Sequence, residues 1–401
     1  MMQYILSSNG FFLLIGSFLL AALGAILGKS KDRFANAWTS TFLIIGACIG
    51  IVLAVLALPV GQGFSFVFKT YFVPISVRID GLSAFFVFTI SLLVLASAIY
   101  GIGYVRQFYT HYSVGVLGFF LSIFIASLYL VVTANNGIYF LLVWELMALS
   151  SYFLVIYEHK EAENLRAGLL YFIMTHVGTA FLLLAFLLLY RTTGSFDFDI
   201  IRANAGSIPA VAKSLIFVFA LLGLGTKAGI IPLHMWLPEA HPAAPSHVSA
   251  LMSGVMIKTA IYMMIRLFLD VLSNFPAWWG IVVLLLGAIS SLLGVLYALS
   301  SHDLKRLLAF HSVENIGIIL LGLGSAMVFL SYGNTTLAVV GAAAALFHTI
   351  NHAVFKGLLF LGAGSVVMQT GTRNMEEYGG LIKKMPYTAF FFLVGAVAIS
   401  A

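Results

Sequence analysis

The chain has 401 residues, of which 62% are hydrophobic and only 8% are Asp, Glu, Lys or Arg. Soluble domains are about 45–50% apolar and about 25% charged, so the composition excludes a soluble protein and indicates an integral membrane protein. The net charge of +6 does not indicate nucleic-acid binding, because the 20 basic residues form no block of like charge. The lipid bilayer is the expected partner. A single cysteine, Cys48, excludes an internal disulfide and a Cys-rich metal or iron–sulfur site.

Apolar segments of the length needed to cross a bilayer, about 20 residues, follow one another with no soluble domain between them. They predict an all-α, polytopic membrane protein with about twelve transmembrane helices. The first segment lacks the basic n-region of a cleaved signal, so we expect a permanent helix. The last segment is still apolar at its end, which predicts a longer protein. The predicted spans are Gly10–Gly28, Thr41–Val60, Gly81–Val105, Ser113–Thr133, Gly137–Tyr157, Arg166–Tyr190, Val211–Trp236, Ser246–Leu272, Trp279–Ser300, Leu304–Leu330, Leu337–Met368 and Tyr387–Ala401.

The distribution of Lys and Arg over the loops predicts the orientation. Loops after odd-numbered spans hold 11 basic residues, with Lys305 among them, and loops after even-numbered spans hold 6, with Lys213 and Arg266 among them. Cytoplasmic loops of membrane proteins carry the excess of Lys and Arg. The count therefore predicts that the odd-numbered loops are cytoplasmic and that the N-terminus lies outside.

A few charged side chains remain inside the predicted spans. They are Lys227, Lys258, Lys356, Glu145 and Glu314. A charge at the bilayer centre costs at least about 2.5–3.5 kcal/mol on insertion scales. We interpret these residues as an internal polar path for protons or ions. The alternative is that buried ion pairs only hold helices together; recurrence at matching places in several spans favours the path.

Glu145 lies in the middle of the fifth span, and Lys227 of the seventh span is its expected partner. A helix break is predicted around Lys227 because glycines flank it and prolines follow. Irregular backbone at membrane depth survives only inside protein or along a cavity, and broken helices mark the ion sites of many transporters. The alternative is a packing kink with a snorkelling lysine. The residues that predict the break are Gly225, Gly229, Pro232 and Pro238.

Histidines accompany the other two lysines. His247 and Lys258 are separated by eleven positions, which returns to nearly the same face of a regular helix and suits a proton relay. A capping or loop histidine is the alternative for His247. His176, alone on an apolar helix, is interpreted as a core histidine with its hydrogen bonds satisfied.

His348, His352 and Lys356 are spaced four apart, which places them on one helical stripe about 6 Å from one another. This stripe predicts a proton wire. A metal site is the weaker alternative, because no acidic ligand lies nearby in the sequence. His311 and Glu314, three apart on the preceding span, are expected to join the stripe.

Spans five apart resemble each other. Thr175-His176 of the sixth span corresponds to Asn351-His352 of the eleventh, and Glu145 of the fifth to Glu314 of the tenth. An odd number of spans between copies predicts two inverted five-helix repeats with broken helices. The predicted units are N-terminal helices 1–3 at 1–105, a first half-channel of helices 4–8 at 106–275, and a second, truncated half-channel of helices 9–12 at 276–401. A second broken helix with an ionisable residue is expected beyond the end.

Three segments together resemble one known family. They are 221–241 (LLGLGTKAGIIPLHMWLPEAH), 303–309 (DLKRLLA) and 348–359. They resemble the signatures of the proton-translocating antiporter-like subunits of respiratory complex I, multisubunit Na⁺/H⁺ antiporters and membrane-bound hydrogenases. The resemblance extends from about residue 80 to the end. Within the family, 242–259 resembles the branch of hydrogenase-4 component B and formate hydrogenlyase subunit 3.

The resemblance implies roles for individual residues and a full-length protein of 14 or more helices. Glu145 matches the carboxylate of the fifth helix, Lys227 the lysine of the broken seventh, and Lys258 the central lysine of the eighth. Lys305 and Lys356 match basic positions of the second half-channel, which places Lys305 at the membrane end of its helix. The family's ionisable residue on the twelfth helix is not in this chain, so no exit site is assigned.

The resemblance implies a proton (or Na⁺) translocating, non-catalytic subunit of a redox-driven membrane complex of the hydrogenase or formate hydrogenlyase type, in a prokaryotic cytoplasmic (inner) membrane. No cofactor is expected in this chain; NiFe and iron–sulfur centres or quinone are expected in partner membrane subunits. The expected path starts near Lys227, gated by Glu145, and crosses by His247 and Lys258 towards the His348 stripe. The alternatives are a subunit of a Na⁺/H⁺ antiporter or of a complex I-type NADH-quinone oxidoreductase, and a structural scaffold, against which the set of lysines and glutamates argues.

Overall fold

The computed structural model describes residues 6–59, 63–70, 73–272 and 274–400. In this part of the chain eleven helices are long and apolar enough to cross a membrane, which confirms a polytopic helical membrane protein. The predicted span ends Val60 and Ala401 lie outside the described residues. A twelfth apolar helix, α12 (Pro386–Ser400), is shorter than the others. The eleven are α1 (Ser8–Leu27), α2 (Asp32–Ala57), α3 (Gly81–Tyr104), α4 (Val114–Thr133), α5 (Gly137–Val155), α6 (Ala162–Thr193), α7 (Ala210–Ala228), α8 (Ser246–Val271), α9 (Ala277–Leu299), α10 (Leu304–Ser331) and α11 (Thr335–Thr370).

The loop between α2 and α3 contains two strands, which the predicted helices do not include. β1 (Phe64–Phe68) and β2 (Ile75–Ile79) form an antiparallel hairpin, with Phe64 opposite Ile79. A bridge from Val77 to Ala134 attaches β2 to the end of α4. Short helices Phe198–Asn204 and Leu237–Ala243 also lie between the long ones.

The helix α8 forms the centre of the bundle. It packs against α3, α4, α7 and α11. Of its most apolar 18-residue stretch, 94% is buried inside the protein. Two π-helical stretches, Met252–Met256 and Arg266–Val271, interrupt its α-helical hydrogen bonding. A charged side chain on α8 therefore faces other helices and not lipid.

The helices α9 and α10 are in direct backbone contact along a row of glycines. A Cβ atom added to Gly294 would lie 2.6 Å from the backbone nitrogen of Glu314, and one added to Gly287 would lie 2.9 Å from the carbonyl oxygen of Gly317. Only glycine permits this approach, which is the usual packing of small residues between membrane helices. The contact fixes the position of Glu314 on α10.

Candidate functional site

The seventh helix ends in the middle of the bundle. α7 stops at Ala228, and Gly229 takes the left-handed φ of 78° that favours glycine. The chain continues without an α-helix until Leu237. Pro238 lies in the first turn of the next short helix, where proline is tolerated, while Pro232 lies in the irregular segment. The break therefore lies between the glycines and Pro238.

Side chains satisfy the backbone groups that the break exposes. The indole nitrogen of Trp236 donates to the carbonyl oxygen of Thr226 at 2.7 Å, and the backbone N–H of Ile231 donates to Ser290 Oγ at 3.0 Å. A side chain at Gly225 would collide with Ile230, since an added Cβ would lie 2.5 Å from Ile230 Cδ1. Irregular backbone at this depth is stable because protein groups replace the missing helical bonds.

Lys227, in the last turn of α7, is enclosed by protein, with 2% of its surface exposed. Its Nζ donates to the Tyr171 hydroxyl of α6 at 2.9 Å and lies 5.7 Å from the centre of the Trp144 ring of α5. The Tyr171 hydroxyl lies 2.6 Å from Ser151 Oγ. The ammonium group thus has neutral hydroxyl and aromatic neighbours.

Glu145 is not the direct partner of Lys227, in contrast to the expectation from the sequence. Glu145 Oε2 lies 3.1 Å from His176 Nε2 of α6, and the two side chains are 27% and 35% exposed. The reason is the rotation of α5: Leu142 and Leu149, on the same stripe as Glu145, face outward, whereas the neighbouring Trp144 is buried against Lys227. His176 is likewise no isolated core histidine, because it pairs with a carboxylate.

Lys258 of α8 is buried and donates from Nζ to the carbonyl oxygen of Ser253. The π-helical stretch that contains Ser253 lies between His247 and Lys258. An extra residue in one turn rotates everything after it by about 100° relative to a regular helix. The prediction that His247 and Lys258 share one face is therefore wrong; in the part of the chain that the structure describes, no hydrogen bond joins them.

Hydroxyl groups connect Lys258 with Lys356 of α11. Ser253 Oγ lies 2.7 Å from Ser312 Oγ of α10, and Ser312 Oγ donates to the carbonyl oxygen of Leu308 at 3.0 Å. Lys356 Nζ donates to that same carbonyl oxygen at 3.1 Å. The two buried lysines thus lie at the ends of one chain of polar groups that crosses from α8 through α10 to α11.

The histidine stripe on α11 meets α10 through an asparagine. His348 Nε2 lies 2.9 Å from Asn315 Oδ1, and Asn315 Nδ2 donates to the carbonyl oxygen of His311. His311 Nδ1 and Glu314 Oε2 are 2.5 Å apart. The rings of His348 and His352 are 6.4 Å apart. His311 and Glu314 therefore bind each other, and among the described residues Asn315 forms the hydrogen-bonded connection from the His311 backbone to the stripe.

Lys305 lies one residue inside α10 and is 5% exposed, so its assignment to a loop is wrong. Its Nζ donates to the carbonyl oxygen of Ala244, before α8, at 2.9 Å. Glu158, in the loop after α5, is close by. Burial raises the pKa of Glu158, and the positive charges of Lys305 and Arg373 partly oppose that rise.

Arg266 is also not a loop residue. It lies inside α8, 4% exposed, and donates to both carboxylate oxygens of Asp80, which caps the start of α3, and to Asp270. Arg202 donates twice to Asp270 as well. Lys213, another predicted loop residue, is buried in α7. The predicted orientation counts Lys305, Arg266 and Lys213 as basic loop residues, but all three lie inside helices and are buried.

The ion pairs of Asp80 make stability depend on pH. Burial opposes its ionisation, but the hydrogen bonds and charge of Arg266 lower the pKa of Asp80 from 3.8 to about 2. This contribution, about 2 kcal/mol, is therefore present above pH 4 and is lost as the pH falls towards 2. We expect thermal unfolding in detergent to show this loss in the wild type, and an Asp80→Asn variant to be less stable at neutral pH and less sensitive to acid between pH 4 and 2. An equal acid sensitivity would contradict the assignment.

Sequence reasoning missed the polar groups that surround the buried lysines and the histidine stripe. They are Tyr171, Ser151, Ser253, Ser312 and Asn315. Serine, asparagine and tyrosine occur throughout apolar helices, and their roles here depend on which helices face each other. Buried His241, His247 and His352 each have both ring nitrogens without a protein partner among the described residues. Such groups are normally hydrogen-bonded to water.

Comparisons with known proteins show which family and which fold the chain shares. The family profile described as NADH:quinone oxidoreductase/Mrp antiporter, transmembrane, matches residues 134–401. Hydrogenase-4 component B of Escherichia coli K12 is 46% identical over 96% of this chain and 57% of its own length. Formate hydrogenlyase subunit 3 of the same strain is 38% identical over 81% of this chain and 51% of its own. One Na⁺/H⁺ antiporter subunit of Bacillus subtilis 168 is 36% identical over 70% of this chain and 35% of its own.

The fold is shared with solved membrane complexes. A chain of the archaeal membrane-bound sulfane sulfur reductase superposes with a TM-score of 0.84 at 22% identity, over 98% of this chain and 78% of that one. A chain of the Mrp complex of Dietzia sp. DQ12-45-1b superposes with a TM-score of 0.81 at 24% identity, over 98% of this chain and 43% of that one. The chain spans about half the length of hydrogenase-4 component B and of formate hydrogenlyase subunit 3.

Proposed function

This chain belongs to the NADH:quinone oxidoreductase/Mrp antiporter transmembrane family, and from that premise we propose that it translocates protons as an antiporter-like subunit of a redox-driven membrane complex. The observation that carries the proposal is the set of three buried lysines, Lys227, Lys258 and Lys356, whose Nζ atoms donate to neutral oxygens. An isolated charge in a bilayer is expensive. Residues whose only need was packing would be apolar at these positions.

The connections between the lysines support a lateral path. Lys258 and Lys356 each donate to a backbone carbonyl oxygen, of Ser253 and of Leu308, and the hydroxyls of Ser253 and Ser312 lie between them. The carbonyls only accept, whereas the hydroxyls both donate and accept, so the proposed transfer between the two lysines uses the hydroxyls together with water molecules. On the other side of the bundle, Lys227 bonds to Tyr171 at the helix break. We infer that protons move from the region of Lys227 to Lys258 and on to Lys356, with the Glu145–His176 pair controlling the first step from the outer face of α5.

The wider assignments follow from the relatives. The identity with hydrogenase-4 component B and formate hydrogenlyase subunit 3 supports a hydrogenase-type complex in a prokaryotic cytoplasmic membrane. In this proposal the N-terminus lies outside, and NiFe and iron–sulfur centres or quinone belong to partner subunits, as does the redox reaction. Identification of the subunits that copurify with the full-length protein tests this assignment.

Proton uptake by proteoliposomes containing the complete complex tests the function directly. We expect uptake when the redox reaction of the copurified partner is started, and a fall of at least about tenfold in a Glu145→Gln variant, since proton-transfer groups contribute about 10²–10⁴-fold. Glu163→Gln is the matched control, because Glu163 is 84% exposed at the start of α6.

Two results would contradict this proposal in different ways. Exchange of Na⁺ for H⁺ driven by an ion gradient alone, without any redox reaction, would assign the chain to an antiporter instead. If the wild-type complex assembles but moves no protons, the chain would be assigned as a structural scaffold instead.

A further inference from the structure

A second polar region lies apart from the lysine path, between α2, α3 and α4. A cavity there is lined by Thr39 and Ser40 of α2, Ser97 and Gly101 of α3, and Leu117 of α4, and it reaches His247 at the start of α8. The volume that the centre of a water molecule can occupy in this cavity is about 20 Å³. A volume of about 10–15 Å³ by this measure is enough to hold one water molecule. The cavity therefore has room for water at the side of the central helix.

Its walls carry polar atoms that need a partner. Thr39 Oγ1, Ser97 Oγ and both ring nitrogens of His247 are buried, and no atom of the described residues is hydrogen-bonded to them. The three side chains are 5%, 3% and 1% exposed. Buried polar groups without a protein partner are normally satisfied by ordered water. Three such groups next to one cavity support a hydrated site.

The cavity is next to a pocket at the protein surface. That outer pocket, of about 480 Å³ by the same measure, is lined by the exposed Arg33 and Arg106 and by Tyr109. Asn36 lines both the pocket and the cavity. Its Nδ2 donates to Tyr109 and its Oδ1 accepts from Ser40. The Asn36 side chain thus lies between the outer pocket and the inner cavity and bonds to groups of both, Tyr109 and Ser40.

We propose that this cavity is a hydrated access route by which protons reach His247 from the side of the membrane that bears Arg33 and Arg106. The proposal rests on the proposed function and adds a route that runs between the N-terminal helices α2 and α3 and helix α4. His247 lies in the first turn of α8, which carries Lys258. Protons that arrive there enter the central helix without passing the break in α7.

Two glycines of α3 make a matched test. A Cβ atom added to Gly101 or to Gly103 meets nothing within 4 Å, so both positions accept a side chain. Gly101 is buried and lines the cavity, whereas Gly103 is exposed and does not. In proteoliposomes of the complete complex, we expect Gly101→Leu to lower proton translocation at least about tenfold, the scale of losing a proton-transfer step, and Gly103→Leu to leave it unchanged.

Accessibility to Ag⁺, a thiol reagent close to water in size, gives a second readout that does not depend on translocation. Cys48, the chain's single cysteine, is exposed, so the background is Cys48→Ala. We expect Ser97→Cys to react with Ag⁺ added from the same side as Arg106→Cys, and Gly101→Leu to abolish that reaction while Gly103→Leu preserves it.

The outcomes separate this route from the proposed function. If Gly101→Leu translocates protons like Gly103→Leu while Lys227→Ala does not, the route is wrong and the function stands. If Ser97→Cys is inert to Ag⁺ while Arg106→Cys reacts, the cavity is dry and the route is overturned. If the wild-type complex moves no protons, the proposed function itself fails.

Discussion

A Lys227→Ala variant is expected to lose proton translocation by about 10²-fold or more, the range typical of a direct proton-transfer group. Lys227 is the only described lysine at the helix break, and its Nζ bonds to Tyr171, which in turn lies 2.6 Å from Ser151. Alanine removes both the transferable proton and the donor to Tyr171. Proton uptake by proteoliposomes of the complete complex is the measurement, with the amount of assembled complex determined in parallel.

Two further variants separate a relay from a structural charge. Lys227→Arg keeps the positive charge, but a guanidinium does not release its proton in proteins. We therefore expect the complex with this variant to assemble but to lack proton translocation. Tyr171→Phe removes only the hydroxyl acceptor, and we expect an intermediate loss. Lys31→Ala, in the exposed turn before α2, is the control. Full activity of Lys227→Arg would show that the charge matters and the proton transfer does not.

An Arg266→Met variant is expected to lower the free energy of unfolding by about 3–5 kcal/mol, the cost of removing one partner of a buried ion pair. Arg266 donates to Asp80 at 2.7 and 2.8 Å and to Asp270 at 2.8 Å. Without it, Asp80 keeps the capping bond from the Ser83 backbone N–H at 3.0 Å, and among the described basic side chains it keeps the Arg78 contact at 3.3 Å. The start of α3 and the end of α8 lose their main connection. Chemical unfolding in detergent measures the change.

The surface offers a matched comparison for this effect. Arg106 is exposed after α3, and Arg106→Met is expected to change the unfolding free energy by less than about 1 kcal/mol, as exposed charges usually do. Replacing Asp80 and Asp270 by Asn in the Arg266→Met background is expected to recover part of the lost unfolding free energy. The reason is that the two carboxylates that have lost Arg266 are then replaced by neutral amides. Equal stabilities of Arg266→Met and Arg106→Met would contradict the role assigned to Arg266.

The sequence identifies the lysines of the site because charge is so rare in its spans. Lys227, Lys258 and Lys356 stand out against apolar neighbours, and the glycines and prolines around Lys227 predict the interruption of α7. These signals are local, so they need no knowledge of how helices pack. The number of helices follows in the same way from segment length and hydropathy.

Helix rotation and long-range pairing are not local, and the predictions that depend on them are wrong. α5 is apolar on several faces, so its sequence does not show that Glu145 faces His176 and Trp144 faces Lys227. The π-helical stretch at Met252–Met256 has no sequence signature, yet it rotates Lys258 away from His247. The partner of Arg266 is 186 positions away at Asp80, which a count of basic residues by loop does not reveal.

The glycine contact between α9 and α10 has a mechanical consequence. Side chains between two helices can change rotamer when the helices shift, but at Gly294 and Gly287 the backbones touch directly. We therefore expect the two helices to move together as a rigid pair. Any motion that accompanies turnover has to be taken up where hydrogen bonding is irregular, at the end of α7 and along α8. A displacement transmitted from a neighbouring subunit would bend the chain there, beside Lys227 and Lys258, and leave Glu314 in place.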